Sequence, residues 1–283
     1  MTRMPRSYLY APGNEPRKLA RAASADADAV ICDLEDAVPP GAKSEARQAV
    51  AAFLADPSRR DGRWWVRINA DSATTDITAV AGPALCGVVV PKAEPELLDE
   101  VAAALGRVES AGGLTPGSLR VLALLETARG ILCLDRVARA PRVVRLGLGE
   151  ADLAAELGLR PGPDKEELWP LRAGVVLHST AAGLAPPVGP VETAVRDTDR
   201  LDRTTRLLLR QGFRARTLIH PAQAAVVNEV FTPSPQEVAD ARDLVARLAD
   251  AAERGLGVAV AADGRMIDAA VARTAHDILA RAV

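Results

Sequence analysis

Cysteine is scarce. Cys32, Cys86 and Cys133 are the only three in 283 residues, and each stands alone in an apolar run. That spacing gives neither a disulfide framework nor a thiolate metal site, so all three are read as reduced core residues. An excess of charge of one sign is also missing. The net charge of -2 leaves no general attraction to nucleic acid or to an anionic membrane, so any anion must be held by local basic residues. No apolar run reaches the ~18–20 residues that cross a bilayer, and the N-terminus lacks the apolar stretch of a signal peptide. A cytoplasmic protein is expected. The first strand candidate is not followed by G-x-G-x-x-G, no Walker A sequence occurs, and Gly147-Leu-Gly149 alone does not mark a phosphate site. Ser44 and Ser179 have no His and Asp companions, which speaks against a serine hydrolase. Of the three histidines, His178 and His276 fall on helical faces. His220 falls at a strand end, where a structural and a catalytic role are both open.

What is present is ordinary for a globular enzyme: 48% hydrophobic and 25% charged residues. Short β-like runs alternate with longer Ala/Arg/Glu-rich stretches, the pattern of βα units around a parallel sheet. The predicted strands are Ser7–Tyr10, Ala29–Asp33, Trp64–Ile68, Gly87–Val90, Arg120–Leu125, Val143–Leu148, a weak one at Pro187–Gly189, and Thr217–Ile219. Predicted helices between them include Pro16–Ala23, Lys43–Leu54, Glu94–Val108, Ile131–Arg139 and Leu201–Gln211. Eight such units in this length favour a closed (β/α)8 barrel over an open doubly wound sheet. After Phe231 the pattern changes: Pro233-Ser-Pro235 breaks the chain and a helix follows over Glu237–Arg254. A hairpin of Gly257–Val260 with Met266 is expected to turn at Asp263-Gly264, before a last helix over Ala269–Ala282. Residues 1–231 are therefore assigned to the barrel and 232–283 to a C-terminal helical and hairpin extension, a lid or an arm for a neighbouring subunit.

Three hydrophobic runs end in carboxylates: Val30-Ile-Cys-Asp-Leu-Glu-Asp36, Val121-Leu-Ala-Leu-Leu-Glu126, and Val143-Val-Arg-Leu-Gly-Leu-Gly-Glu-Ala-Asp152. Acids just past buried strands are costly without a partner, and a divalent cation with oxygen ligands is the simplest one that gathers several. Reactive groups of a parallel barrel lie at the C-terminal strand ends. That rule collects Pro12, Gly13, Asn14, Asp33, Glu35, Asp36, Arg67, Asn69, Lys92, Glu126, Asp152 and His220. Glu126 and Asp152 follow consecutive strands and can share one small volume, as two ligands of Mg²⁺ or Mn²⁺. The competing readings are a helix cap at Leu153 for Asp152 and an ion pair with Arg129 for Glu126. Arg67 ends a strand, where its fork suits a carboxylate or an enolate oxygen; the alternative is an ion pair with Asp33 or Asp36. Side chains alternate along a strand, so Asp33, Glu35 and Asp36 cannot all face inward, and some are expected to hold metal waters or Arg67.

Eight motifs then occur in a telling order: Ser7-Tyr-Leu-Tyr-Ala-Pro-Gly13, Asp33-Leu-Glu-Asp-Ala-Val38, Val66-Arg-Ile-Asn69, Pro91-Lys92, Leu125-Glu-Thr-Ala-Arg-Gly130, Gly149-Glu-Ala-Asp-Leu153, Ile219-His-Pro-Ala-Gln223 and Asp263-Gly-Arg-Met-Ile-Asp268. Together they resemble the citrate lyase β-subunit-like branch of the HpcH/HpaI aldolase superfamily, across nearly the whole chain. The resemblance implies a TIM barrel in a trimer or hexamer, with Mg²⁺ on the residues matching Glu126 and Asp152. It implies cleavage or formation of a 3-hydroxyacyl-CoA of the citryl, malyl or citramalyl type, giving an acyl-CoA and a 2-oxo acid. It places Arg67 at the acyl substrate, and makes Asp268 an acid/base that reaches a neighbour's active site, although by itself Asp268 looks like the N-cap of the last helix. Pro12, Gly13 and Asn14 with Arg17 and Lys18 would contact the CoA phosphates. Asp36 and Glu35 join the expected catalytic set. Alternatives within the resemblance are a thioesterase or synthase variant and a lyase subunit acting on an acyl-carrier-protein thioester. Outside it stand an aldolase on free 2-oxo acids and a non-catalytic scaffold. Two departures stand out: Ala269-Ala270 after Asp268, and the Pro- and acid-rich segment Pro161–Trp169.

Overall fold

The computed structural model of the chain describes residues 4–260 and 266–282. Eight strands, β1 (Ser7–Pro12), β2 (Ala29–Asp33), β3 (Trp64–Arg67), β4 (Leu85–Val90), β5 (Arg120–Leu125), β6 (Val143–Leu148), β7 (Ala185–Gly189) and β8 (Ala215–Leu218), pair in sequence order into a closed parallel barrel. Helices α1 (Pro16–Ala23), α2 (Lys43–Leu54), α3 (Ala73–Val80), α4 (Pro95–Gly112), α5 (Ala128–Leu132), α6 (Leu134–Ala138), α7 (Glu150–Glu156), α8 (Trp169–Ala181) and α9 (Thr198–Arg210) lie between the strands, and α10 (Gln223–Phe231) follows the last. This is a TIM barrel, the fold class expected from the sequence.

The barrel's interior is filled by Tyr8, Ala29, Ile31, Trp65, Val89, Leu122, Leu124, Val188 and Ala215. Because successive side chains alternate, these residues fix the inward parity of each strand. Continuing by two residues toward the C-terminal end puts Tyr10, Asp33, Arg67, Glu126 and Thr217 on the same inward parity. Register does the rest: Pro12 pairs with Asp33, and Asp33 with Arg67, at one level of the sheet. Charged and polar groups thus ring the mouth of the barrel because the apolar layers end two residues below it.

Differences from the predicted elements have physical causes. The weak strand starts at Ala185, but Pro186 and Pro187 cannot donate to the ladder, and the β6–β7 register shifts there between Arg145 and Gly147. The helix predicted over Ile131–Arg139 is two helices that meet at Cys133. The first starts early because the Thr127 hydroxyl caps it, accepting from the Gly130 N–H at 3.0 Å.

Contacts divide the chain into two compact units, Met4–Asn228 and a C-terminal one from Glu229. In the second, α11 (Pro235–Glu253) opens with a capping box between Ser234 and Glu237. The strands β9 (Ala259–Val260) and β10 (Met266–Ile267) pair antiparallel, and α12 (Ala269–Arg281) ends the unit. Ala251, Ala259 and Ile267 form its small core, with Leu244, Leu248 and Val271 packed on them. The turn expected at Asp263-Gly264 lies outside the described residues. Among the described residues no helix is long and apolar enough to cross a membrane.

Candidate active site

Glu126 follows β5 directly and is buried. Its Oε1 accepts the backbone N–H of Lys92 at 2.9 Å. Lys92 turns that N–H inward from a left-handed backbone, φ 48°. Gly149 leaves the room that Glu126 occupies: a Cβ there would come within 2.8 Å of Glu126 Cβ. The helix after β6 begins at Glu150 with Gly149 as its N-cap, so Asp152 stands inside the first turn and not at the cap. Arg129 pairs with Glu94 and Glu96. Both competing readings of the carboxylate pair, the Asp152 cap and the Glu126–Arg129 ion pair, therefore fail.

Asp152 and Glu126 line one cavity of about 440 Å³ at the barrel mouth, together with Tyr10, Asp33, Asp36, Arg67, Glu150 and Lys165. Burial pushes the Glu126 carboxyl up to about 7, and the charges of Glu35 and Asp152 push the same way, against the Lys92 N–H and Arg67. Burial likewise raises Glu35, opposed by Arg67. Among the described residues no three His, Cys, Asp or Glu side chains cluster as a complete metal shell. Two carboxylates facing an open cavity are nevertheless what Mg²⁺ takes, since it keeps several waters and accepts substrate oxygens. The repulsion around Glu126 is what such a cation would relieve.

Arg67 is held by three acids. Its Nε and Nη2 donate to Asp33 at 2.7 and 2.6 Å, and its Nη1 lies 2.9 Å from Glu35 and 3.4 Å from Asp36. The guanidinium also stacks over the Tyr10 ring at 4.8 Å. Burial works against its charge, but the Asp33 fork outweighs this and keeps Arg67 firmly protonated. The ion pair with Asp33 and Asp36 and the place in the cavity wall are thus both present, not alternatives. Asp33 has a second task, accepting the N–H groups of Glu35 and Ala37.

The remaining predicted residues are placed as follows. Pro12 ends β1, and Gly13 donates to Asp33 O at 2.8 Å, where a Cβ would clash with that same oxygen. Asn14 follows, with its Oδ1 buried and without a hydrogen-bond partner. Arg17 and Lys18 are exposed in the first turn of α1, and Lys18 pairs with Glu15 at 2.6 Å. Pro12 and Lys18 line a second cavity of about 330 Å³ with Arg21 and His220; Gly13, Asn14 and Arg17 do not. His220 Nδ1 accepts the Ala222 N–H at 3.2 Å, a local turn contact. Asp268 belongs to the C-terminal unit and caps α12, accepting from Ala270 and Val271 at 2.8 and 3.0 Å. Those N–H donors, Val271 foremost, hold its carboxyl below the usual range. Reading by strand ends missed Tyr10, Glu150 and Lys165 in the cavity wall. Strand parity was the available signal for Tyr10, whereas Lys165 lies in the segment that matched no motif.

A parallel barrel with a cluster of carboxylates and an oriented arginine at its C-terminal mouth has the make-up of a metal-assisted enzyme. The sequence profile of the HpcH/HpaI aldolase/citrate lyase family matches residues 6–221, and the chain belongs to that family. It is 34% identical over 280 residues to a (3S)-malyl-CoA thioesterase of Cereibacter sphaeroides, covering 98% of this chain and 94% of that protein. It is 34% identical over 283 residues to a citrate lyase subunit beta-like protein of Mycobacterium tuberculosis, covering 97% and 94%. Among solved structures, it is similar to CitE of M. tuberculosis in complex with magnesium, acetoacetate and coenzyme A. That match has a TM-score of 0.76 and 32% identity over 98% of this chain and 97% of the other. The citrate lyase beta subunit of the same organism with oxaloacetate and magnesium matches with a TM-score of 0.67 and 32% identity, over 80% and 96%. The family resemblance read from the eight motifs is thereby borne out, and the chain is a lyase or a related enzyme of this family.

Proposed function

We propose that the chain is a Mg²⁺-dependent carbon–carbon lyase acting on a 3-hydroxyacyl-CoA, with Glu126 and Asp152 as the protein ligands of the metal. The observation that carries this reading is the Glu126 carboxyl, buried yet facing Asp152 and Glu35, an arrangement a divalent cation completes. The magnesium complexes of the similar M. tuberculosis proteins support it. When bound, Mg²⁺ supplies Lewis acidity, lowering the pKa of a substrate hydroxyl and polarising the carbonyl that the hydroxyl becomes.

The chain's own residues do the rest. In the cleavage direction the hydroxyl proton passes to the Asp268 carboxylate of a neighbouring copy, once that carboxylate has left the cap of α12. The bond between the carbinol carbon and the thioester's α-carbon breaks, and its electron pair passes into the acyl-CoA enolate. Arg67, fixed by the Asp33 fork, presents a positive edge to the enolate oxygen without reorganising. Glu35 and Asp36 set the direction of its remaining N–H groups. The same Asp268, now protonated, returns the proton to the α-carbon. Val260 and Met266, exposed on the hairpin before it, suit contact with that neighbour. The Pro12–Lys18 segment holds the CoA phosphates. Asp268→Asn is expected to cut turnover roughly 100-fold and to leave substrate KM within about twofold; unchanged turnover would remove Asp268 from the chemistry.

A second reading, hydrolysis of the thioester, is favoured by the likeness to the (3S)-malyl-CoA thioesterase. Mass-spectrometric product analysis with malyl-, citramalyl- and citryl-CoA separates the two. A lyase releases a shorter acyl-CoA and a 2-oxo acid; a thioesterase releases free CoA and an intact hydroxy acid.

A further inference from the structure

Two lysines at the barrel mouth have left-handed backbones, Lys92 with φ 48° and Lys165 with φ 52°. A residue with a Cβ is disfavoured there, and such conformations collect at functional sites. The Lys92 conformation is explained by its N–H on Glu126. Lys165 has a different setting. Its Nζ lies 3.0 Å from Glu150 Oε2, while Glu150 Oε1 already takes Arg172 Nε at 2.6 Å. Behind them Glu192 pairs with Arg200 at 3.2 Å and Arg216 at 3.8 Å. Arg216 in turn feels the charges of Glu192, Glu150, Arg172 and Arg200, so these groups form one cluster. With Asp164, which lines the same space, it holds three carboxylates and four cations, a surplus of one positive charge. Lys165, Arg172, Arg200 and Arg216 all line the small space behind the wall. Of the four, only Lys165 also lines the cavity that contains Glu126 and Asp152. The other cation of that cavity, Arg67, is held among Asp33, Glu35 and Asp36 and serves the enolate oxygen in the lyase reading.

We infer that Lys165 binds a second carboxylate on the 2-oxo-acid half of the substrate, so that the chain prefers substrates whose cleavage releases a dicarboxylic 2-oxo acid. This rests on the lyase reading above. The cavity's acids other than Glu150, namely Asp33, Asp36, Glu126 and Asp152, repel any anionic group that the metal does not hold. A second carboxylate therefore needs a cation with charge to spare, and Lys165 carries the cluster's surplus to the cavity surface. With a monocarboxylic partner the ammonium stays on Glu150.

The test pairs binding with turnover. Affinities for oxaloacetate and pyruvate are measured calorimetrically with Mg²⁺ on wild type, Lys165→Gly and Lys165→Met. The ratio of kcat/KM for citryl-CoA to that for citramalyl-CoA is measured on the same proteins. Glycine suits the left-handed backbone, so Lys165→Gly removes the amine without strain and its fold is the safer control. Wild type should bind oxaloacetate more than tenfold better than pyruvate, on the order of one charge-assisted hydrogen bond. Both variants should lower that preference and the kcat/KM ratio roughly 10- to 100-fold. Unchanged ratios overturn the inference, as does an equal loss on every thioester, which would put the amine on the shared CoA. Wild type binding the two oxo acids alike also overturns it. Separated affinities without cleavage of any thioester would instead retain Lys165 and sink the lyase reading.

Discussion

Glu126→Gln should abolish turnover while making the metal-free protein more stable at neutral and alkaline pH. Glutamine keeps the shape and the Lys92 contact but cannot serve as an anionic ligand. Losing several kcal/mol of metal-assisted stabilisation costs about 1000-fold or more in rate. The stability effect has the opposite sign. The Glu126 carboxyl stands at about 7 in the folded chain against an ordinary 4.5. The folded state thus keeps a proton that the unfolded chain releases, and metal-free stability falls as pH rises from 4.5 through 7. At 1.36 kcal/mol per unit the loss is about 3 kcal/mol once pH exceeds both values. Denaturant titrations between pH 4 and pH 8 should show this slope in wild type and a flatter line in Glu126→Gln. Added Mg²⁺ should offset the loss in wild type alone. A variant with wild-type turnover, or one destabilised at pH 8, would remove Glu126 from the role given to it here.

Arg67→Met should destabilise the barrel by about 3–5 kcal/mol, because Asp33 and Glu35 would remain buried without their cation. Activity should fall with it. Stability and chemistry separate in the double variant Asp33→Asn/Arg67→Met, which removes the main buried pair together. It should recover most of the lost stability and none of the turnover. Arg67→Lys keeps a charge but loses the two-pronged contact with Asp33, and should fall between wild type and Arg67→Met in both properties. Near-neutral unfolding midpoints for Arg67→Met would mean that the acids around Arg67 are solvated well enough to need no partner.

Much of this was legible in the sequence because polar groups mark where the apolar layers stop. β2, β5 and β6 were read to the residue, each ending where a hydrophobic run meets Asp33, Glu126 or Gly149. β7 was read only in part, since Pro186 and Pro187 hide a strand that lacks donors. The acids at the mouth followed from the strand-end rule. Which of them faces inward follows from the parity set by Ile31, Trp65 and Leu124, a step the sequence permits once the strands are known. The pairing of Arg67 with Asp33 is a register effect between β2 and β3, which no local pattern encodes. Lys165 was illegible for a similar reason: its place depends on Glu150 and Arg172, 15 residues before it and on the next helix. Asp268 stands at the opposite extreme. Its neighbours read as a helix cap, and it caps the helix here; only the motif resemblance gives it chemistry.

Calorimetric titration of Mg²⁺ into the wild-type chain at pH 7, in two buffers of different ionisation enthalpy, tests most directly whether Glu126 and Asp152 hold the metal. One ion per chain and release of about half a proton are expected, because a carboxyl near 7 is half protonated at this pH and must ionise to bind the metal. No binding to Glu126→Gln is expected. Binding of equal affinity to both proteins, or uptake by wild type without proton release, would contradict this assignment.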